Sequence, residues 1–172
     1  MDIFLQMDGN CLLWIQECLR QDFWTPFWKA VTSLGDAGWF WIALALILAV
    51  FPRTRKAGLL ALVSLALCAL ITNACLKNII ARPRPYTQIP DLTALLPPQK
   101  DWSFPSGHAT ASFASAGVYL RTLPQKYGLA CLALAVLIAF SRLYVGVHYP
   151  TDVLGGIAVG LFGSWIVCKL KA

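Results

Sequence analysis

The residues of this 172-residue chain that could do chemistry form three small polar clusters, each at the end of a hydrophobic segment. The clusters are Lys77 with Arg84-Pro85, Pro105-Ser106-Gly107-His108, and Ser141-Arg142 with His148 and Asp152. In a sequence that is 58% hydrophobic, such groups are costly unless they bind or transform something. Most of their charge is positive, so we expect an anionic ligand. Because imidazole transfers protons or attacks electrophiles near neutral pH, the two histidines predict that this anion is chemically altered.

The first cluster combines two kinds of cation. Pro83 and Pro85 predict that Arg84 leaves the helix that carries Lys77 and lies in an extended segment. A flexible ammonium and a planar guanidinium placed in this way could hold different oxygens of one phosphate. The alternative is that both residues, and Arg82 with them, only extend their charges to the membrane edge, as basic residues at helix ends usually do.

The second cluster is typical of a helix start. Ser106 can cap the helix, and Gly107 leaves the free backbone N–H groups open to an approaching anion. We therefore expect a phosphate at this helix start with His108 beside it. The alternative is an ordinary turn and cap, with His108 next to it by chance.

The third cluster predicts a paired histidine and carboxylate. Arg142 ends a hydrophobic segment, His148 follows a short connection, and Asp152 falls in the first turn of the last helix. Asp152 could hold one imidazole nitrogen and leave the other with a free lone pair, as in catalytic dyads and triads, although a purely structural pair is the alternative. Asp152 is expected to be the isolated carboxylate near the site. We therefore predict no metal ion and no cofactor.

The segments that carry these clusters predict an all-α integral membrane bundle, with residues 1–172 as a single domain. Candidate spans are 37–51, 57–80, 107–122, 127–145 and 151–168, within a bundle over 37–170. Residues 1–34 mix tryptophan with charge and predict amphipathic helices in the membrane interface, for five to six transmembrane helices in all. The start of the chain lacks a basic region and a cleavage site, so no removable signal peptide is expected. Six cysteines show neither metal nor disulfide spacing.

Charge predicts the orientation and the partners. The net charge is +6, but the basic residues lie between apolar spans, so lipid headgroups and the bilayer rather than nucleic acid are the expected partners. Alternation of five spans collects seven basic residues and no acid on one side: Arg53, Arg55, Lys56, Arg121, Lys126, Lys169 and Lys171. All eight acids, from Asp2 to Asp152, are assigned to the other side. Because basic short loops mark the cytoplasm, the three clusters are predicted to face the extracytoplasmic side.

Taken in order, the three clusters resemble the three-part signature of the type 2 phosphatidic acid phosphatase (PAP2) family. Six residues separate Lys77 from Arg84-Pro85, five separate Arg142 from His148, and three more precede Asp152. The resemblance implies a compact, bacterial-type lipid phosphatase of the plasma membrane that needs no metal and works through a phosphohistidine. It implies that His148 attacks phosphorus, Asp152 orients it, and His108 protonates the leaving oxygen. It also implies a set of phosphate-binding residues: Lys77, Arg84, Ser106, Gly107 and Arg142.

Several functions agree with this resemblance. The substrate of such a phosphatase could be undecaprenyl diphosphate, phosphatidylglycerol phosphate or phosphatidate. One alternative is a non-catalytic binder or transporter that uses the cations only as a headgroup cradle. Another is an enzyme similar to the vanadium haloperoxidases, which share the phosphate pocket but are larger, soluble proteins. The presence of both histidines together with Asp152 favours the phosphatase.

Overall fold

The computed structural model describes residues 3–170, and within them every regular element is helical. The α-helices are α1 (Ile3–Trp14), α2 (Thr25–Ser33), α3 (Trp39–Val50), α4 (Arg55–Ala69), α5 (Lys77–Ile80), α6 (Gly107–Thr122), α7 (Gln125–Tyr144) and α8 (Pro150–Lys169). Two π-helical segments, Ile15–Leu19 and Leu70–Leu76, follow α1 and α4, and 3-10 turns lie at Asp36–Gly38 and Pro85–Thr87. The all-α prediction is confirmed. Asp2 and Lys171, which were used to predict the orientation in the membrane, fall outside the described residues.

Three described segments are long and apolar enough to cross a membrane, namely Arg55–Thr87, Gln125–Tyr144 and Pro150–Lys169. Helices α2 and α3 meet at a 44° bend and would supply a fourth crossing if they formed one span. Helix α6 occupies the predicted span 107–122, but its 16 residues fall short of the roughly 20 that a crossing helix needs. These segments agree with a multi-pass membrane protein, whereas the count of five to six spans remains a prediction.

Helices α6 and α8 pack directly against each other at two glycines. A Cβ atom on Gly156 would lie 2.6 Å from the carbonyl oxygen of Ser106, and one on Gly160 would lie 2.6 Å from that of Thr110. Any side chain at either position would push the helices apart, so the glycines permit a close approach that is common between membrane helices. The backbone N–H of Ser106 donates to the carbonyl oxygen of Asp152 at 3.0 Å. The second and third clusters therefore lie side by side.

Helix α6 is also joined to the helices on its other side. The buried indole of Trp41 in α3 donates to Ser112 Oγ of α6 at 2.9 Å. From α4, Ser64 Oγ donates to the carbonyl oxygen of Ala114 at 3.1 Å. Because buried polar groups in an apolar surrounding need a partner, these bonds fix how α3 and α4 sit against α6.

The N-terminal helices are attached to the end of the bundle that carries the clusters. In α2, the ring of Trp28 stacks on Tyr144 of α7 with centroids 5.3 Å apart. In α1, the buried carboxylate of Asp8 accepts the backbone N–H of Thr151 at 3.1 Å. The N-terminal segment is helical, whereas the amphipathic character of its helices and their place in the membrane interface remain predictions.

Candidate active site

The three clusters converge on one cavity of about 640 Å³. Six of the predicted site residues line it: Lys77, Arg84, Gly107, His108, Arg142 and His148. Ser106 and Asp152 are fully buried and do not line the cavity. Side chains that only extended to the membrane edge would be exposed, yet Lys77 is 7% and Arg84 5% exposed. That alternative is therefore wrong for both residues.

Breaks in helical geometry bring the first cluster into the cavity. Lys77 follows the π-helical segment Leu70–Leu76, a type of irregularity that is frequent at functional sites. Ala81 then adopts a left-handed conformation, with φ of 45°, and ends α5 before either proline. The chain leaves the helix there, and Arg84 Nη1 reaches the carbonyl oxygen of Val147 at 2.9 Å.

His148 is held between a carboxylate and a guanidinium. Its Nδ1 lies 3.6 Å from Asp152 Oδ2, which is longer than a direct hydrogen bond. The hydroxyl of Ser103 donates to the same carboxylate oxygen and lies 3.4 Å from Nδ1, so it bridges the pair. On the other side of the ring, Nε2 lies 3.3 Å from Arg84 Nη1. Burial in the 145–149 connection lowers the pKa of His148, which keeps the imidazole neutral.

Ser103 was not among the residues that the sequence singled out. It is fully buried in the loop before α6, and its backbone N–H donates to the carbonyl oxygen of Arg82 at 2.9 Å. Only its position, three residues before Ser106, places it near a predicted motif. Nothing in the residue type or the spacing distinguishes it from an ordinary loop serine.

Arg142 and the start of α6 can receive an anion. Arg142 is 1% exposed, and its Nη1 donates to Thr32 Oγ1 at 2.6 Å. Its buried Nε finds no hydrogen-bond partner within residues 3–170, and a buried donor left in this way costs about 1–3 kcal/mol. At the start of α6, Ser106 Oγ accepts the N–H of Ala109 at 3.5 Å, as the predicted cap does. A Cβ atom on Gly107 would lie 4.0 Å from Lys77 Nζ, so this helix start faces the ammonium.

Asp152 is not the isolated carboxylate that we expected. Asp101, from the loop before α6, forms ion pairs with both Lys77 and Arg84, the latter at 2.6 Å between Oδ1 and Nη2. Partial burial would raise the pKa of Asp101, but the hydrogen bond and charge of Lys77, together with Arg84, outweigh it and lower the pKa to about 2. Asp101 is therefore ionised at any ordinary pH. Lys77 and Arg84, which were predicted to hold phosphate, are therefore paired with a carboxylate of the protein itself.

Arg82 connects Asp152 with the N-terminal helix. Its Nη1 donates to Asp152 Oδ1 at 2.7 Å, and its Nη2 donates to Asp8 Oδ2 at 2.8 Å. The guanidinium also lies 3.8 Å from the ring centroid of Tyr149. The membrane-edge interpretation is therefore wrong for Arg82 as well. Asp8 was missed by sequence reasoning because it is 74 residues away from its partner.

The other histidine also has a carboxylate partner. His108 Nε2 lies 3.0 Å from Oδ1 of Asp36, which belongs to the turn between α2 and α3. The sequence showed Gly35-Asp36-Ala37-Gly38 as a break before a hydrophobic run and gave no sign that it reaches His108. Both residues line the cavity.

Away from the cations, the same cavity becomes apolar. Its walls there are side chains of α3 and α4: Ile42, Leu62, Leu65, Ala66 and Ala69. One cavity therefore joins a cationic end with two imidazoles to a hydrocarbon-lined end between two helices. Such a shape fits a molecule that carries a phosphate on an apolar chain.

Sequence comparison decides the family. Residues 57–172, which are more than half of the chain and include all three clusters, match the model of the PAP2 superfamily. The chain belongs to this superfamily. The predicted resemblance is thereby confirmed.

Individual PAP2 proteins are similar over most of the chain. An undecaprenyl-diphosphatase from Sulfolobus acidocaldarius is 37% identical over 126 residues, which are 73% of this chain and 59% of the relative. The match thus spans less than two thirds of that protein. The crystal structure of a PAP2 type phosphatidylglycerolphosphate phosphatase from Bacillus subtilis has a TM-score of 0.82 at 28% identity, covering 99% of this chain and 87% of that one. A bacterial vanadium-dependent iodoperoxidase shares the fold, with a TM-score of 0.75 at 18% identity over 95% of this chain and 48% of its own.

Proposed function

We propose that this chain is a membrane lipid phosphatase that hydrolyses a phosphate or diphosphate ester through a phosphohistidine on His148. The observation that carries this proposal is the single cavity in which the cations and both histidines open onto a hydrocarbon-lined groove. The groove can bind the lipid tail, and the cations can bind the phosphate. The two histidines supply a nucleophile and a proton donor, which simple binding would not need.

The geometry supports a sequence of two displacements. Neutral His148 keeps a proton on Nδ1, next to Ser103 and Asp152, and attacks phosphorus with the lone pair of Nε2. The bond from phosphorus to the lipid oxygen breaks, and His108 gives that oxygen a proton. His108 then takes a proton from water, whose oxygen attacks the phosphohistidine and frees phosphate. The cations Lys77, Arg84 and Arg142, with the N–H of Gly107, stabilise the charge on the phosphoryl oxygens, while the buried Ser106 caps the helix start that carries this N–H.

The proposed setting is a plasma membrane, with residues 1–172 as one domain of five to six spans and the site on the extracytoplasmic side. Arg121 is one of the basic residues assigned to the cytoplasm. It donates to the carbonyl oxygen of Gly117 and lies 3.4 Å from Ser164 Oγ, toward the ends of α6 and α8 that are far from the three clusters. The N-terminal helices would lie in the outer interface. The apolar groove between α3 and α4 would admit the lipid tail directly from the outer leaflet.

The names of the relatives guide the choice of substrates. One acts on undecaprenyl diphosphate and another on phosphatidylglycerol phosphate, and both compounds are lipids with a terminal phosphate. We therefore propose these two and phosphatidate as the substrates to test first.

Phosphate release from these lipids by the purified protein in detergent tests the function. We expect release from at least one of them without added metal, no loss with EDTA, and inhibition by vanadate, which imitates five-coordinate phosphorus. If the protein binds these lipids but releases phosphate from none of them, the proposal is wrong and the protein is a headgroup binder. Bromide oxidation with added vanadate, in place of phosphate release, would instead indicate a haloperoxidase.

A further inference from the structure

His108 is held by the turn between α2 and α3. Asp36 Oδ1 accepts a hydrogen bond from His108 Nε2 at 3.0 Å. A Cβ atom on Gly35 would lie 2.4 Å from His108 Cδ2, so the bare backbone of this turn lies against the imidazole ring. The turn has an unusual backbone, since both Ala37 and Gly38 have positive φ. One short segment thus lies close to Cδ2 of the ring and contacts one of its nitrogens.

The charges around His108 explain why a carboxylate is useful there. Lys77, Arg84 and Arg142 line the same cavity as His108, and their positive charges oppose a positive charge on the imidazole. Asp101 is already paired with Lys77 and Arg84. Asp36 is the carboxylate that contacts His108 directly, and its negative charge favours the protonated ring.

We propose that Asp36 is a positioning residue for His108. It holds Nε2–H and stabilises the imidazolium, so that the Nδ1 proton passes to the leaving lipid oxygen. After that transfer the ring is neutral, and Nδ1 accepts the proton of the water that attacks the phosphohistidine. The protein therefore has two pairs of histidine and carboxylate, one for attack on phosphorus and one for the proton. This inference rests on the proposed function.

The test compares two leaving groups. A lipid alkoxide needs a proton as it leaves, whereas 4-nitrophenolate leaves easily without one. We expect Asp36→Ala to lower kcat about 10- to 100-fold for a lipid phosphate, which is no more than the lower end of the range of general acid catalysis because His108 itself remains, and much less for 4-nitrophenyl phosphate. Asp36→Asn keeps the acceptor oxygen but loses the charge, so it should fall between Asp36→Ala and the wild type. Asp91→Asn, an exposed carboxylate in the loop before α6, is the matched control.

A double variant separates positioning from a structural role. If Asp36 acts through His108, Asp36→Ala combined with His108→Ala should lose no more activity than His108→Ala alone. Equal losses for both leaving groups, or losses that multiply in the double variant, would overturn the proposal. Wild-type turnover in the same assay tests the proposed function itself. The role of Asp36 is tested by the ratio of turnover of the lipid phosphate to turnover of 4-nitrophenyl phosphate in each variant. Unchanged vanadate binding and an unchanged unfolding temperature show that each variant is folded.

Discussion

At the scale of single residues, each group of the candidate site has properties that depend on its immediate neighbours. Nε2 of His148 faces Arg84, while its Nδ1 faces Ser103 and Asp152. The buried Nε of Arg142 has no hydrogen-bond partner among the described residues. These arrangements give two predictions that concern one side chain each.

His148→Ala should abolish both turnover and the covalent intermediate, because no other described residue places a neutral imidazole nitrogen beside Arg84. We expect a loss of at least about 1000-fold, since nucleophile and base act as a unit. The measurement is transfer of labelled phosphate to the protein after a rapid alkaline quench, which preserves phosphohistidine. His108→Ala should still take up label from 4-nitrophenyl phosphate. Label retained by His148→Ala would show that the nucleophile is another residue.

Asp101→Asn should lower KM for the lipid phosphate, because the entering phosphate no longer competes with a carboxylate for Lys77 and Arg84. Asp101 is half exposed, and the ion pairs of such a carboxylate are worth up to about 1 kcal/mol each, so we expect a ~3- to 10-fold decrease. The pKa of about 2 means that the carboxylate loses its charge, and the loop its ion pairs, only as pH falls toward 2. The effect should therefore be constant from pH 5 to 8. A KM that stays equal to the wild-type value would show that Asp101 does not compete.

At the scale of elements, α1 is connected to the candidate site by one chain of largely buried ion pairs. Asp8 pairs with Arg82, and Arg82 pairs with Asp152, the carboxylate next to His148. The motif residues of α6 and α8 could be predicted because they are close in sequence to the helix starts that position them. The contacts of Asp8 with Arg82 and of Asp36 with His108 could not, because 74 and 72 residues separate the partners and only the packed bundle brings them together.

Asp8→Asn should lower both stability and kcat. The variant weakens one of the two ion pairs of Arg82 in a buried position, which costs about 1–3 kcal/mol of stability. Without the Asp8 carboxylate, the Arg82 guanidinium is paired with the Asp152 carboxylate alone. Because Asp152 lies next to His148, the orientation of the imidazole is then less well defined. The measurements are the unfolding temperature in detergent and the steady-state parameters. Glu17→Gln, an exposed acid in the same N-terminal segment, is the control and should change neither. An Asp8→Asn protein with wild-type stability and kcat would show that α1 has no part in the site.

At the scale of the whole molecule, sequence alone predicted an all-helical membrane protein of the PAP2 superfamily. It also placed the three clusters at helix ends on one side, and the structure brings those ends to one cavity. The bend between α2 and α3 and the π-helical segment before Lys77 were less predictable. Such features depend on packing between helices, which hydropathy along the chain does not record.

The predicted orientation can be tested with single cysteines in a background without the native ones. A cysteine at Gln99, which lines the cavity, should react with a membrane-impermeant thiol reagent in intact cells. A cysteine at Thr54, in the basic turn before α4, should react only after the membrane is permeabilised. The physical reason is that basic short loops stay in the cytoplasm. The opposite labelling pattern would place the site on the cytoplasmic side.

The pairing of Asp101 with Lys77 and Arg84 makes the loop before α6 sensitive to whether the site is filled. An anion that binds these cations takes over the bonds that tie Asp101 to the cavity wall. The loop from 88 to 106 then loses two of its attachments, while Ser103 stays bound to Asp152. Hydrogen exchange around Asp101 should consequently quicken when vanadate binds, although most ligands slow exchange near their site. A change in the motion of this loop would thus report each cycle of binding and release.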